Sequence, residues 1–390
     1  MQSLKLYPEI KGVREDVIAW RRHLHQHPEL SYQEEKTSQF VYETLLSFGN
    51  LEVTRPTKYS VMARLIGSQP GKTLGIRADM DALPIEEENS FDFKSRTPGV
   101  MQVCGHDGHT AMLLGTAKIL SGMKDSLKGE VRFFFQHAEE YFPGGAQEMV
   151  DAGVMEGVDI VIGAHLMSTF EIGKVGIVYG PMMAAPDVFF LTIKGKGGHG
   201  SAPHETIDSI AIGAQVVTNL QYIVSRNTDP LDNLVLSIGK FVGGEAANVI
   251  ANSVEISGTV RSFDLKFRES TILMERVIKG ITEAHGASYE FNYLTGYRPV
   301  INDNEVTKLI EETALEVYGE QAVDHQKPTM GAEDFSAFQQ KAPSNYFLIG
   351  AGNKEKGVTY PHHHPRFNFD EDAMEYGVNI FLHAVRKILG

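Results

Sequence analysis

Short apolar runs that alternate with helical patterns are the feature that most constrains the fold of this sequence. The β-like runs cover residues 60–65, 73–78, 130–136 and 159–163. Strands that alternate with helices form a mostly parallel sheet with helices packed on it. The sequence therefore predicts an α/β fold, and ligands of such folds bind in the crevice beyond the carboxyl ends of the strands.

The pattern changes near Gly180 and returns near Gly296. Between these points the sequence predicts a strand, a glycine-rich loop, a helix, two strands, a helix and a last strand, which is a small α+β pattern of β-α-β-β-α-β. A chain of 390 residues is long enough for about two domains. We therefore predict a larger domain of residues 1–184 and 296–390, into which a smaller domain of residues 185–295 is inserted.

The N-terminal part predicts two helices, the first over residues 13–26 and the second ending near Gly49. Between them, the run from Ser31 to Glu34 has the capping-box pattern and is expected to open the second helix. His25 begins the turn of residues 25–30 that joins the two helices, at the end of the first helix. Histidines in such turns are more often caps or surface groups than ligands, so we assign it no chemistry.

The run Cys104-Gly105-His106-Asp107-Gly108-His109 holds the only cysteine of the chain. A thiolate and an imidazole two residues apart project to the same side of an extended segment, so one metal ion can bind both. The same pair also fits a buried structural cysteine beside ordinary loop histidines. The metal interpretation therefore depends on further ligands elsewhere in the chain.

Candidate ligands follow other predicted strands. A hydrolytic metal centre needs nitrogen, oxygen or sulfur ligands, an open position for water and one carboxylate that does not bind the metal. Glu139 and Glu140, after a strand with three phenylalanines, meet the last need if one binds metal and the other faces the water. With His165 and the internal run His362–His364, they make a dinuclear metal site the most economical interpretation.

Eight segments carry a resemblance to a known family: 21–30, 77–84, 104–109, 138–140, 197–199, 258–261, 331–335 and 363–367. On these segments the chain resembles the metal-dependent aminoacylase and carboxypeptidase family. Its nearest branch there is the N-acyl amino acid amidohydrolases, which include hippurate hydrolases and plant auxin-conjugate hydrolases. The resemblance runs over nearly the whole chain. The chain departs from the family pattern at His137 and Ala251, where these enzymes commonly have proline. These two departures leave the substrate preference open.

The resemblance implies a zinc-exopeptidase-like catalytic domain and assigns roles to site residues. Two divalent metal ions, of zinc, manganese, cobalt or nickel, are expected at Cys104, His106, Glu140, His165 and His363, with Cys104 bridging them. The choice of His363 over its two neighbours rests on its spacing to Pro365 and Phe367. Glu139 is expected to be the general base. By the same resemblance, residues 1–184 and 296–390 are expected to form the catalytic domain and residues 185–295 a lid domain. The lid is expected to form a homodimer through its edge and to offer His199 to the partner's active site.

The predicted function is hydrolysis of N-acyl-L-amino acids to a carboxylic acid and a free amino acid. Arg261 offers a planar fork that suits the free carboxylate of such a substrate, and Asn248 offers a neutral donor nearby in the same domain. A dipeptidase or carboxypeptidase with the same chemistry is the first alternative. A catalytically silent binding protein is the second, and the spare carboxylate at Glu139 speaks against it.

Charge and hydropathy limit the partners. The chain has 50 acidic and 36 basic residues and a net charge of -14, which argues against binding to nucleic acid or an anionic membrane. No apolar run approaches the ~20 residues of a membrane span, and the N-terminus lacks a signal-peptide core. We therefore expect a small-molecule substrate and a cytoplasmic location, which also suits a functional thiolate.

Overall fold

The computed structural model describes residues 7–390. Its α-helices are α1 (Ile10–Gln26), α2 (Glu35–Ser47), α3 (His106–Ser121), α4 (Gly145–Asp151), α5 (Ser209–Tyr222), α6 (Ser270–Ala284), α7 (Asn304–Tyr318), α8 (Ser336–Gln339) and α9 (Asp372–Leu389). Its strands are β1 (Glu52–Thr54), β2 (Val61–Ile66), β3 (Gln69–Asp79), β4 (Lys128–Gln136), β5 (Ile160–Glu171), β6 (Val175–Ile177), β7 (Gly180–Met183), β8 (Ala185–Lys194), β9 (Gly198–His199), β10 (Leu234–Gly243), β11 (Val249–Ile250), β12 (Ser253–Ser262), β13 (Ser288–Leu294), β14 (Val300–Asn302), β15 (Val323–His325) and β16 (Ser344–Gly352). None of the helices within residues 7–390 has the length and apolarity needed to cross a membrane.

The chain forms two compact units, and the larger one is built on an eight-stranded sheet. This unit runs to Met182 and resumes over Ile301–Pro328 and Asp334–Gly390. The strand order is β1-β2-β4-β3-β5-β16-β6-β15. The central strands β4, β3, β5 and β16 are parallel, as are β6 and β15, while β1, β2 and the β16–β6 pair are antiparallel. The predicted α/β fold with a mostly parallel sheet is confirmed.

Helix α3 is the buried helix of the larger unit. It contacts α1, α9 and β3, and nearly all of its residues are buried. Glycines allow the close approach of its neighbours: a Cβ atom on Gly115 would lie 2.6 Å from Val17 in α1, and one on Gly377 in α9 would collide with Met112. Because His106 is the first residue of α3, this tight packing also holds His106 in place.

Helix α2 is present, but the predicted capping box is wrong. Glu34 makes no side-chain hydrogen bond to the first turn of the helix. The carboxylate of Glu29 takes that role, since it accepts hydrogen bonds from the backbone N of Thr37 at 2.8 Å and of Lys36 at 3.2 Å. Ser31 and Glu34 are therefore available for contacts elsewhere in the larger unit.

The smaller unit spans Met183–Val300 and includes Thr329–Glu333. Its elements follow the order β8-α5-β10-β12-α6-β13, and its antiparallel sheet has the strand order β10-β12-β8-β13. Apolar residues of α5 and α6 pack against this sheet in one core. Thr329–Glu333 lies outside the predicted lid of residues 185–295. It belongs to this unit because the backbone N of Ala184 donates to the carbonyl of Gly331 at 2.8 Å.

Candidate metal centre

Cys104 and His106 lie where the chain enters helix α3. Gly105 between them has φ +94°, in the left-handed region that favours glycine, so the chain turns sharply there. The predicted extended segment is wrong, because His106 is the first residue of the helix. The turn nevertheless brings Sγ of Cys104 and a ring nitrogen of His106 within 4.8 Å of each other.

Three overlapping groups of donor atoms around this turn consist of predicted ligands and the predicted base. Within each group, one donor atom of every residue lies within 4.8 Å of those of the other members. The groups are Cys104, His106 and His165; Cys104, Glu140 and His363; and His106, Glu139 and Glu140. The five predicted ligands and the predicted base thus lie together in the larger unit. Cys104, His106 and Glu140 each belong to two of these groups.

The carboxyl ends of the central strands position most of these residues. Glu139 and Glu140 follow β4, and Cys104 and His106 lie in the connection that follows β3. His165 lies within β5 rather than after it, because this strand continues to Glu171. Its imidazole still reaches Cys104, with 3.5 Å between Nε2 and Sγ.

Hydrogen bonds hold two of the imidazoles in the tautomer that a metal ligand needs. Nδ1 of His106 lies 3.0 Å from the carbonyl oxygen and 3.1 Å from Oδ1 of Asp81, and both of these atoms are acceptors. Nδ1 of His165 donates to the carbonyl oxygen of Leu166 at 2.8 Å. With the proton on Nδ1, Nε2 of each ring carries the lone pair that would face a metal ion.

The electrostatics of the cluster favour a cation. Burial, together with the carboxylates of Glu140 and Glu139, raises the pKa of the Cys104 thiol well above its usual range. Burial would lower the pKa of His106, but Asp79 and Asp81 outweigh it and raise that pKa to about 10. The carboxylate contributions to both shifts reflect a negative local potential, which a divalent cation offsets while it favours the thiolate. The donor set therefore fits metal ions.

Only one member of the run His362–His364 belongs to the cluster. Nε2 of His363 lies 3.1 Å from Oε1 of Glu140. Nε2 of His362 donates to the carbonyl oxygen of Leu166 at 2.8 Å, and its burial lowers the pKa of that ring to about 4. His364 stacks on Tyr360, with 4.4 Å between the ring centroids. The geometry therefore agrees with the choice of His363.

A family model, described as peptidase family M20/M25/M40, matches residues 75–387 and so includes the whole cluster. The chain belongs to this family. As an M20/M25/M40 peptidase it is a hydrolytic enzyme, so the predicted enzyme class and family resemblance are confirmed. The alternative of a silent binding protein has no support.

Relatives of the chain match most of its length. The N-acyl-L-amino acid amidohydrolase of Geobacillus stearothermophilus is 71% identical over 297 residues, covering 76% of this chain and 80% of the relative. Thermostable carboxypeptidase 2 of Saccharolobus solfataricus is 43% identical over 391 residues, covering 98% of each. The solved structure of a dinuclear metal-binding peptidase of the M20 family from Bacillus subtilis is 35% identical, with a TM-score of 0.83 and coverage of 97% of this chain and 99% of that one.

Around the cluster lie residues to which no role was predicted. Nδ1 of His109 lies 2.6 Å from Oδ1 of Asp79, and its Nε2 accepts a hydrogen bond from the backbone N of Leu166 at 2.9 Å. Both ring nitrogens are thus engaged, so His109 supports the site instead of binding metal. The run Asp79-Met80-Asp81 after a predicted strand was the only sequence signal for these contacts.

His25 is a buried residue, so its interpretation as a cap or surface group is wrong. Its Nδ1 lies 2.8 Å from Oδ2 of Asp107, and its Nε2 lies 3.1 Å from Oε1 of Glu87. Nε of Arg21 donates to the same Asp107 oxygen at 2.9 Å. This network ties helix α1 to the first turn of α3, next to His106, and the sequence spacing contains no sign of it.

In the smaller unit, two of the predicted residues lie together and the third does not. His199 pairs with Val249 in the β9–β11 ladder, and the backbone N of Gly200 donates to the carbonyl of Asn248 at 2.8 Å. Arg261 lies at the far end of β12, paired with Pro186. The expectation that Asn248 lies near Arg261 is wrong, because residues that share a domain can occupy opposite ends of its sheet.

Proposed function

We propose that the chain is a metal-dependent amidohydrolase that splits the amide of an N-acyl-L-amino acid into a carboxylic acid and a free amino acid. The observation that carries this proposal is the convergence of the five proposed metal ligands in one cluster with Glu139, a carboxylate that the proposed ligand set does not need. The 71% identity to an N-acyl-L-amino acid amidohydrolase supports the substrate class.

In this proposal two divalent ions are held by Cys104, His106, Glu140, His165 and His363. Thiolate, imidazole and carboxylate ligands are compatible with zinc, manganese, cobalt or nickel. When bound, such ions polarise the amide oxygen and lower the pKa of a coordinated water. Cys104 is the proposed bridge, since Sγ lies within 4.8 Å of donor atoms of His106 and His165 in one group and of Glu140 and His363 in another, and these four residues are the other proposed ligands.

Glu139 is the proposed general base. Its side chain is 7% exposed, so few solvent molecules compete for its carboxylate. It takes a proton from the water whose oxygen forms the new bond to the amide carbon. It then passes this proton to the amide nitrogen as the carbon–nitrogen bond breaks. Glu140 stays a ligand throughout.

A carboxypeptidase is the second candidate, favoured by the 43% identity to thermostable carboxypeptidase 2. The two activities differ in whether an aminoacyl group replaces the simple acyl group. A panel of acetyl, benzoyl and longer acyl amino acids beside dipeptides, assayed with each metal added back, separates them. We expect kcat/KM to be at least about tenfold higher for acyl amino acids. Faster dipeptide cleavage favours the second candidate, and no turnover of any substrate rejects both.

We also propose that Arg261 binds the free carboxylate of the substrate. The guanidinium is half-buried, its Nε donates to Oγ1 of Thr259 at 3.0 Å, and within residues 7–390 it has no ion-pair partner. Burial lowers its pKa, although Asp187 acts in the opposite direction. A desolvated guanidinium without its own carboxylate is well suited to bind one from a ligand.

We further propose a homodimer in which His199 and Asn248 act on the partner's substrate. Arg261 pairs with Pro186 at one end of β8, while His199 lies beyond Lys194 at the other end. The eight residue-to-residue steps from Pro186 to Lys194 span about 26 Å at the rise of a strand. A small N-acyl amino acid is shorter than about 26 Å, so it cannot contact both Arg261 and His199 of the same copy of this unit.

Carboxamide analogues and mixed subunits test these two proposals. Carboxamides should be poor substrates, and Arg261→Ala should remove most of the preference for the free acid. Mixing His199→Ala with Glu139→Gln subunits should restore part of the activity, because one site of a mixed dimer then has every group. The matched control mixes Cys104→Ala with Glu139→Gln, whose lesions lie in the same cluster, and should restore none. No recovery after verified subunit exchange would mean that His199 does not act in trans.

A further inference from the structure

The carboxyl group of Glu34 is bound to the turn that carries the proposed base. Its Oε1 accepts a hydrogen bond from the backbone N of Ala138 at 2.7 Å, across 104 residues of sequence. Ala138 directly precedes Glu139. The contact therefore acts on the backbone immediately before the proposed base.

The other end of the same turn is held through Asp81. Its Oδ2 accepts hydrogen bonds from Oγ of Ser31 at 2.7 Å and from the backbone N of Glu140 at 2.9 Å. Residues of the segment 31–34, which do not cap helix α2, thus support the turn on both sides of Glu139.

The turn requires such support because its backbone is strained. Ala138 has φ +49°, in the left-handed region that residues other than glycine rarely adopt. Conformations of this kind persist where surrounding contacts hold them, and they cluster at functional sites. The carbonyl of Ala138 also accepts a hydrogen bond from the backbone N of Gly145 at 3.0 Å. Both backbone groups of the strained residue are therefore engaged.

Glu34 is an unfavourable residue for stability alone. Its side chain is fully buried, and its Oε2 has no hydrogen-bond partner among the described residues. Burial and the nearby Asp81 raise its pKa to about 8. A buried carboxyl group with one unpaired oxygen destabilises a fold relative to a well-packed apolar side chain. What Glu34 provides, and an apolar side chain would not, is the hydrogen bond to the backbone N of Ala138.

We propose that Glu34 is a positioning residue for the reaction: by holding Ala138 in the left-handed conformation, it aims the carboxylate of Glu139 at the attacking water. The inference rests on the proposed function, because it takes Glu139 as the base. It predicts that the loss of Glu34 lowers kcat without loss of the metal ligands, since Glu34 contacts none of the proposed ligand side chains within hydrogen-bond distance.

Three variants of the full-length, metal-loaded enzyme test the inference. Glu34→Ala removes the acceptor and should lower kcat about 10- to 100-fold, as a misplaced catalytic group does. KM and metal content per chain should stay within about twofold of the wild type. Glu34→Gln keeps an acceptor oxygen and should retain most of kcat. Ala138→Gly adopts a positive φ without strain, so Glu34→Ala should cost at least about threefold less kcat in that background.

Glu29→Ala is the matched control. Glu29 lies in the same stretch of chain as Glu34, but its carboxylate binds the first turn of helix α2 and not the turn at Ala138. Glu29→Ala should therefore lower the melting temperature and leave kcat unchanged. If Glu34→Ala does not fold, Glu34→Asp replaces it in the comparison with Glu34→Gln. The aspartate is one methylene shorter, so its carboxylate no longer reaches the backbone N of Ala138. An active Glu139→Gln enzyme would reject the proposed function itself. If Glu139→Gln is inactive but Glu34→Ala, or Glu34→Asp in its place, keeps the kcat of the wild type, this inference alone is overturned. It is also overturned if the loss of Glu34 lowers kcat by the same factor in the Ala138→Gly background as in the wild type.

Discussion

The carboxylate of Asp81 contacts both His106 and the backbone of Glu140. Its Oδ1 lies 3.1 Å from Nδ1 of the imidazole, and its Oδ2 accepts from the backbone N of Glu140 at 2.9 Å. One buried side chain thus sets the tautomer of one proposed ligand and the main-chain position of another. The two proposed ligands are far apart in sequence, and this contact joins them.

Asp81→Asn should weaken metal binding, because the amide group has only one acceptor oxygen for two N–H donors. Loss of such a supporting contact lowers metal affinity about 10- to 100-fold. Competition with a chromophoric chelator measures the change. Ser31→Ala is the control, since it removes one bond to the same carboxylate and leaves both ligand contacts in place. Unchanged affinity in Asp81→Asn would show that the contact does not orient the ligands.

Glu139→Gln and Glu140→Gln should both lower turnover, but only Glu140→Gln should lower the metal content. Glu139→Gln cannot accept a proton, so kcat should fall about 10²- to 10⁴-fold while bound metal survives. Glu140→Gln should lose metal, because a neutral amide is a poor ligand. Elemental analysis beside steady-state kinetics distinguishes them. The reverse pattern would mean that base and ligand have been exchanged.

Chelation should abolish activity reversibly. We expect about two ions per chain in the active enzyme, and Cys104→Ala should bind them more weakly because the proposed bridge contacts both. The measurement is metal content and activity after dialysis against a chelator and again after metal is restored. Full activity in a metal-free sample would contradict the proposal.

The stability of the metal-free protein should fall as pH rises from about 5 to 8, in part because of Glu34. Its pKa is raised from 4.5 to about 8, so in this window the folded chain holds a proton that the unfolded chain has released. The free energy of unfolding therefore decreases with pH, by roughly 1.4 kcal/mol for each unit of pKa difference, and levels off above pH 8. Glu34→Gln removes this term. Parallel curves of melting temperature against pH for the two chelator-treated proteins would refute the assignment.

Several contacts of the site could not be predicted, because they are made by common polar residues to backbone atoms distant in sequence. Glu34 and Ser31 fit a capping pattern, and only the fold shows that Glu29 binds the helix instead. His25 has the spacing of a surface group, but helix α1 turns it towards Asp107. In each case local propensity was compatible with two environments, and packing decided between them.

The sequence alone was enough to predict the fold class and the set of candidate ligands. Alternation of strands and helices restricts the topology, and metal chemistry restricts ligands to a few residue types, so Cys104, His165 and the pair Glu139–Glu140 stand out by residue type and position. The family resemblance then assigned Glu140 as the ligand and Glu139 as the base. Their convergence within 4.8 Å, the hydrogen bonds that fix the imidazoles, the strained turn at Ala138 and the separation of Asn248 from Arg261 were decided by tertiary structure. These features depend on distances between segments far apart in the chain. Such distances follow from how buried helices and strands pack, which no local pattern encodes.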